Sequence, residues 1–407
     1  MSTAAVPFTA TIAQGLPRSF WFLLTGMFIN RLGGFVVPLL MLYLTQQRDI
    51  SLQSAGFVVS LYGAGLLVGN AAGGAMADRF GRRFTLLLSL TLSAASMLAM
   101  SVAYSLPALA AGAVVLGGTT SMYQPVTQTV INDVVPAEHR LRAFTYTYWV
   151  VNLGFSLALV VGGLMAEHNF TWLFVGDAVT TLLFALVVYL AVPETRPAPI
   201  EGDDRGSVLT PFVDPRYVPF LFLCFTTFFV FFQHVTMLPL DMVKKGLSTA
   251  DYGLAIASNG VLIVLLQPFA SQWVRRGSRA RWLALAALFT GVGFGVTALA
   301  SSLGAYVATI ALWTVGEVLM APLNMSVVAD VSPTSMRGRY QGAFHLTWSL
   351  ATLVAPTVTP LVIEATSSAG LWALCLVLGV LVALGHLVLT SRLERPLHEA
   401  MDPEPNA

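Results

Sequence analysis

The chain has 407 residues, 56% of them hydrophobic and 10% charged, with a mean hydropathy of +0.75. A soluble domain carries about 25% charged residues, so 21 basic and 20 acidic side chains are too few to cover a water-facing globule of 43.5 kDa. A water-soluble fold is excluded, and the net charge of +1 says little until the charges are placed.

Up to Pro17 there is no compact apolar stretch followed by a cleavage site, so no removable leader is expected and the first span serves as its own insertion signal. Apolar runs bounded by charges or turn residues then fall at about 20–44, 52–76, 84–104, 106–131, 143–166 and 171–191. A second set follows at about 217–240, 251–273, 282–302, 304–329, 340–363 and 370–390. Each can cross a hydrocarbon core, which takes about 20 residues. Between the sets, Pro193 to Arg216 is the longest polar stretch and reads as a linker. The pattern predicts an all-α membrane protein of 12 transmembrane helices in two pseudo-symmetric six-helix bundles, residues 1–192 and 217–391, joined by a cytoplasmic linker 193–216 and followed by a tail 392–407. Cys224 and Cys375 each lie inside an apolar run and read as small core residues.

With the amino terminus in the cytoplasm, alternation puts seventeen Lys and Arg side chains inside, among them Arg79, Arg82, Arg83, Arg140, Arg142, Arg337 and Arg339. Three, Arg48, Lys244 and Lys245, fall outside, and Arg31 falls within a span. This asymmetry predicts cytoplasmic termini. The halves also repeat: Asp133-Val-Val-Pro136 with Arg140 and Arg142 recurs as Asp330-Val-Ser-Pro333 with Arg337 and Arg339, a shift of 197 that also carries Pro125 to Pro322, Ser51 to Ser248 and Gly56 to Gly253. A six-helix unit duplicated in parallel suits a transporter whose halves rock about a central site.

The loop after the second span reads Gly74-Ala-Met-Ala-Asp78-Arg79-Phe-Gly81-Arg82-Arg83. It closely resembles the G-x-x-x-D-R-x-G-R-R signature of the major facilitator superfamily, and with the spans, the duplication and the central linker the resemblance covers essentially the whole chain. Its drug:proton antiporter branch of twelve-span multidrug exporters is the most similar. The resemblance implies that the cluster is a latch holding the cytoplasmic side shut when the cavity opens outward, with Gly74 and Gly81 allowing close approach, Asp78 capping a helix amino terminus, and Arg79, Arg82 and Arg83 pairing with acids such as Asp133. The matching loop of the second half keeps its arginines but has Val274 where the aspartate would stand. The fifth span carries Gly154-x-x-x-Ala158-Leu159-x-x-Gly162-Gly163, similar to the antiporter signature G-x-x-x-G-P-x-x-G-G but without its second glycine and proline. The arginine that the family's exporters often carry twelve residues before the fourth-span proline is replaced by Ala113.

Charges inside the spans point to coupling. Arg31 lies roughly 16 Å into the first span at 1.5 Å per residue, too deep for easy snorkelling. Asp177 in the sixth span lies at a depth Arg31 can reach, so the two are expected to form an ion pair, structural or switchable by a proton. Glu317 stands near the midplane of the tenth span in Gly316-Glu317-Val-Leu-Met-Ala-Pro322, with no basic residue in its helix. Loss of hydration disfavours a charged carboxylate, and a group neutral when dry and ionised when wet is what proton coupling requires. Asn30, Gln124, Gln128, Asn152, Gln233 and His234 are candidate cavity residues, as are Tyr62, Tyr123, Tyr146, Trp149, Phe344 and Trp348 on spans that line the cavity in the family. Aromatic faces with few polar groups suit large lipophilic ligands.

The only lysines are Lys244 and Lys245, so a phosphate-binding P-loop is absent. H-E-x-x-H and G-x-S-x-G are absent too, and no enzyme activity, metal or cofactor is expected. No basic cluster interleaved with aromatics suggests nucleic acid. The expected protein is a monomeric, multi-pass secondary transporter of a bacterial inner membrane, exporting lipophilic small molecules as protons enter. Glu317 carries the proton, Asp177 and Arg31 form an auxiliary switch, and the proton gradient supplies the energy. The alternatives are proton-linked transport of a polar metabolite on the same fold and, from another class, a non-transporting membrane receptor.

Overall fold

The computed structural model of the chain describes residues 15–195, 209–274, 277–333 and 336–390, without the side chains of Leu141 and Ser271. Arg196, Arg205, Arg275, Arg276, Arg392 and Arg395, most of the linker and the whole tail therefore lie outside the described residues. Among the described residues twelve helices are long and apolar enough to cross a membrane. In chain order they are α1 (Arg18–Gln47), α2 (Leu52–Phe80), α3 (Arg82–Val102), α4 (Leu106–Val134), α5 (Arg140–His168), α6 (Thr171–Ala191), α7 (Tyr217–Lys244), α8 (Thr249–Trp273), α9 (Arg279–Leu299), α10 (Leu303–Val331), α11 (Arg337–Ala365) and α12 (Ser368–Thr390). Helices α2, α4, α5, α10 and α11 each run 29 residues. At 1.5 Å per residue that is about 43 Å, so they project beyond a hydrocarbon core about 30 Å thick. Within the predicted linker a short helix forms at Thr210–Val213.

The repeat is visible in how helices start and meet. Ser51 caps α2 by accepting from the Ser54 amide, and Ser248, 197 residues on, caps α8 in a reciprocal box with Asp251. The halves join along two seams, α2 with α11 and α5 with α8. On the first, Gly56 and Gly63 leave no room for a Cβ against the Pro356 carbonyl and the Leu353 backbone. On the second, Gly253 and Gly260 do the same against the Leu159 carbonyl and the Ser156 hydroxyl. The glycines and the positions they meet, Leu159 with Pro356 and Ser156 with Leu353, map onto one another by the shift of 197, which makes the two seams copies of one interface. Small residues that let backbones touch are the main means of joining helices in lipid, where apolar burial gains nothing.

Each seam ends before the signature loop. Its polar contacts include Ser60 Oγ with Thr357 Oγ1 at 2.6 Å, Asn70 Nδ2 donating to Ser349 Oγ at 3.1 Å, and Tyr148 OH donating to Gln267 Oε1 at 3.5 Å. Past these, a Cβ at Gly74, Gly338 or Gly342 would meet no atom within 4 Å. At the far end Gln53 Nε2 donates to Glu364 at 2.6 Å and the Ala250 amide to Glu167 at 3.2 Å across the halves, so that end is shut and the space between the halves opens toward the end carrying Asp78.

At the shut end two cations cap helix carboxyl termini. Arg48 donates to the Ser101 carbonyl at 2.8 Å and to the Tyr43 hydroxyl at 2.7 Å. Lys245, its repeat mate, donates to the carbonyls of Ala298 at 3.4 Å and Ala300 at 2.8 Å and pairs with buried Asp241 at 3.0 Å. Cations are favoured at that end of a helix, which accounts for two of the three basic residues that break the charge asymmetry.

Candidate functional site

A cavity of about 550 Å³ lies between the halves, with walls from both. Its geometry starts from a broken helix. Gly33 and Gly34 interrupt α1 between Leu32 and Val36, and Gly33 packs against Thr180 of α6 without room for a side chain. The break frees the amides of the following turn. Asp177 of α6, 4% exposed, accepts the Val36 amide at 3.4 Å, a carboxylate on a helix amino terminus inside the membrane. The expected Arg31–Asp177 ion pair is not formed: both residues line the cavity, but no N–O distance between them is within 4.0 Å, and main chain takes the place of the guanidinium as the carboxylate's partner. Arg31 instead packs its Cβ where α5 has Gly154, whose own Cβ would lie 2.7 Å away. Gly162 and Gly163 of the same stretch face Phe35 and the start of α8, so this partial antiporter signature is a packing surface in the structure.

Beside Arg31, Asn30 donates to Thr181 Oγ1 at 2.9 Å and accepts from the Tyr123 hydroxyl at 3.2 Å, which ties α1, α4 and α6 together along the wall. Gln124 and Gln128 project from α4 on either side of the Pro125 kink and are exposed to the cavity. Asn152, Tyr62 and Trp348 complete the expected lining.

On the opposite wall α7 is also broken, at Phe232 and Met237. His234 lies in the short piece between and donates Nδ1–H to the Phe231 carbonyl at 2.6 Å, since a carbonyl can only accept. Its ring packs against Phe231 and Trp313. Glu317 reaches the cavity from α10 and takes a hydrogen bond at 2.8 Å from Asn259 of α8.

Four expected lining residues lie elsewhere. Gln233 is fully buried, its amide nitrogen bonded to the Phe229 carbonyl and its oxygen accepting from Thr236 and Thr359, so its polarity is spent inside the α7–α11 contact. Phe344 is 5% exposed and packs edge-on to Phe228. Tyr146 packs against Trp21 and Trp149, and the 44% exposed Trp149 is on that side of α5 rather than in the cavity. The sequence reading also missed lining residues, chiefly Asn70, Asn259, His345 and Ser349. Asn259 was findable, because it lies 197 residues after Tyr62. The lining holds more amide and hydroxyl side chains than expected, although its exposed surface remains mostly apolar.

At the open end Arg82, 5% exposed, gathers the signature loop. It reaches Asp78 at 3.2 Å, Asp133 at 3.5 Å and the Ala77 carbonyl at 3.1 Å. The amino terminus of α3 is capped by Glu194, which accepts the Arg82 and Arg83 amides at 2.7 and 3.2 Å, and not by the largely exposed Asp78. Gly81 makes this possible with a φ of +101° and no space for a side chain against Glu194. Arg83 bonds the Tyr189 carbonyl, Arg79 lies over Phe80, and a Cβ at Gly74 would meet no other part of the chain within 4 Å. In the second half Arg279 pairs with Asp330, the repeat image of Arg82 with Asp133. Each of these ion-pair clusters lies within its own half.

A family model described as the Major Facilitator Superfamily matches residues 23–356 and 241–405. A Na(+), Li(+), K(+)/H(+) antiporter of Planococcus maritimus is 25% identical over 369 residues, spanning 82% of this chain and 87% of that protein. The quinolone resistance protein NorA of Staphylococcus aureus (strain MRSA252) is 29% identical over 161 residues, 39% of this chain and 40% of that one. A crystal structure of the peptide transporter POT in complex with alafosfalin superposes with a TM-score of 0.81 at 18% identity, over 94% of this chain and 96% of that one, which establishes likeness of fold. Twelve apolar helices, a duplicated half, a central cavity with charged walls and the family match together make this chain a membrane transporter that belongs to the major facilitator superfamily.

Proposed function

We propose that the chain is a proton-coupled exporter of amphiphilic small molecules, working by alternating access in a cell membrane with the signature loop and both termini on the cytoplasmic side. The observation that carries this reading is Glu317, a carboxylate on the cavity wall near the middle of its span that, among the described residues, has no cation within 4 Å and one amide as its side-chain hydrogen-bond partner. Such a group exchanges a proton with the cavity when wet and is costly to carry charged when dry. The antiporter relative's name supports exchange against protons, and the quinolone-resistance relative's name supports a drug-like ligand. In the inward-open form the charge clusters of the two halves are apart; tilting the halves the other way brings the Asp78 cluster onto the second half as the latch. Arg31 and Asp177 act as an auxiliary switch on the α1 break.

The amide and hydroxyl groups on an otherwise apolar wall support a second reading, transport of a polar metabolite coupled to the same carboxyl. One experiment addresses both. Purified protein in liposomes with an imposed pH gradient is expected to drive tetraphenylphosphonium flux that Glu317→Gln abolishes. Gradient-driven flux unchanged in the variant rejects the coupling role, and flux no greater than in empty liposomes rejects export of that lipophilic cation.

A further inference from the structure

Asn259 holds Glu317 in a way that records the state of its carboxyl. It is 6% exposed on α8 and donates from one amide nitrogen to Glu317 Oε2 at 2.8 Å and to Thr314 Oγ1 at 3.0 Å. Thr314 stands one turn before Glu317 on α10 and donates its own hydroxyl proton to the Ile310 carbonyl at 2.7 Å. With that proton committed, Thr314 offers Asn259 lone pairs only, as does an ionised carboxylate. Two acceptors flank the amide, and this fixes its nitrogen, not its oxygen, between them.

We propose that Asn259 and Thr314 form a two-position relay set by the proton on Glu317, a reading that rests on the coupling role proposed above. In the ionised position the amide nitrogen donates to both neighbours. When Glu317 takes a proton from water in the cavity, forming one O–H bond, its carboxyl becomes a donor. The amide then turns through half a revolution so that Oδ1 accepts from both the carboxyl and the Thr314 hydroxyl, and Thr314 releases the Ile310 carbonyl. The next residue, Gly260, is packed against Ser156 and the Asn152 carbonyl of the other half. The turn is therefore made at the seam about which the halves tilt.

Other ionisable groups face Glu317 from the surrounding helices. Tyr148 of α5 interacts with it electrostatically, and His345 of α11, His234 of α7, Arg31 of α1 and Asp177 of α6 share the cavity. No ionisable residue of α8 or α9 lines it. All of these are left unchanged by the variants that test the relay.

The readout is the carboxyl stretching band of Glu317 in infrared difference spectra of the full-length protein, identified as the band lost in Glu317→Gln and followed across a pH series. Thr314→Val removes two hydrogen bonds from the ionised arrangement and one from the protonated arrangement, so the midpoint moves to more alkaline pH by roughly half to one unit. Asn259→Leu removes a charge-assisted donor and moves it the same way by about one to two units. Adding Thr314→Val to Asn259→Leu moves it no further, because the threonine acts through the amide. Thr314→Ser keeps the hydroxyl and restores the wild-type midpoint.

A residue that merely packs lowers thermal stability and leaves the midpoint in place. An unmoved midpoint in Thr314→Val, or a serine variant that behaves like the valine one, overturns the relay, and so does a band that does not titrate. Tetraphenylphosphonium flux in the same preparations separates the two proposals. Shifted midpoints without gradient-driven flux retain the relay and reject export of that probe. Flux that depends on Glu317 with unshifted midpoints retains the coupling and rejects the relay.

Discussion

Gly56 and Gly253 sit against carbonyls of the opposite half, whereas a Cβ at Gly74, Gly338 or Gly342, at the other end of the molecule, would meet nothing within 4 Å. The shut end is joined by shape, backbone against backbone along two copies of one interface. The open end keeps its charges in clusters within each half, Arg82 with Asp78 and Asp133, and Arg279 with Asp330. Close-packed seams are all-or-none, because a backbone contact has no weaker version. The acids of these pairs reach water, and a pair with a water-exposed partner is weak and screened, so the acids exchange partners at little cost. The molecule thus uses one chemistry where its halves meet and another where they are apart.

The largest expected effect is at the shut end. Lys245→Met leaves buried Asp241 with only the Tyr306 hydroxyl as a side-chain partner and is expected to cost about 2–4 kcal/mol in detergent unfolding. Arg48→Met removes its bonds to the Ser101 carbonyl and to the Tyr43 hydroxyl, which still donates to the Met100 carbonyl, and costs about 1 kcal/mol. Equal losses at the two positions refute the distinction. Next in size, Gly63→Leu forces the α2–α11 seam apart and lowers stability by about 1–3 kcal/mol, while Gly74→Leu at the open end changes it by less than about 0.5 kcal/mol. A destabilising Gly74→Leu of similar size shows that the open end is packed after all. Arg82→Met is expected to cost about 1–2 kcal/mol, less than a fully buried pair because both of its acids reach water. Smallest is Asp78→Asn, whose stability effect stays within about 0.5 kcal/mol. Its consequence is instead a rise in labelling of an engineered cavity cysteine from the signature-loop side, and no rise counts against the latch.

The spans, the duplication and the signature loop were legible in the sequence because they rest on runs and spacings, which lipid enforces on every helix regardless of its neighbours. Partner choice was not. Asp177 was matched to Arg31 by depth alone, but the Gly33–Gly34 break releases an amide closer to it, and a break becomes a partner only once α6 is packed beside it. Gln233 was placed in the cavity because polar residues in a span usually face water. Thr236 and Thr359 instead absorb its amide oxygen in a dry contact. Asp78 was given a capping role that Glu194, more than a hundred residues away, fills. Asn259 went unnoticed as an uncharged residue in an apolar run, although the repeat placed it opposite Tyr62.

The break in α1 has one more consequence. A carboxylate held by another side chain loses its anchor to a single codon change in that partner, whereas Asp177 is held by an amide that nearly every replacement at Val36 would still supply. Only proline there, or a bulkier residue at Gly33 that pushes α1 off Thr180, would take the anchor away. The carboxyl at that depth is therefore held by the path of the chain, and random mutation will more often remove the acid itself than what holds it.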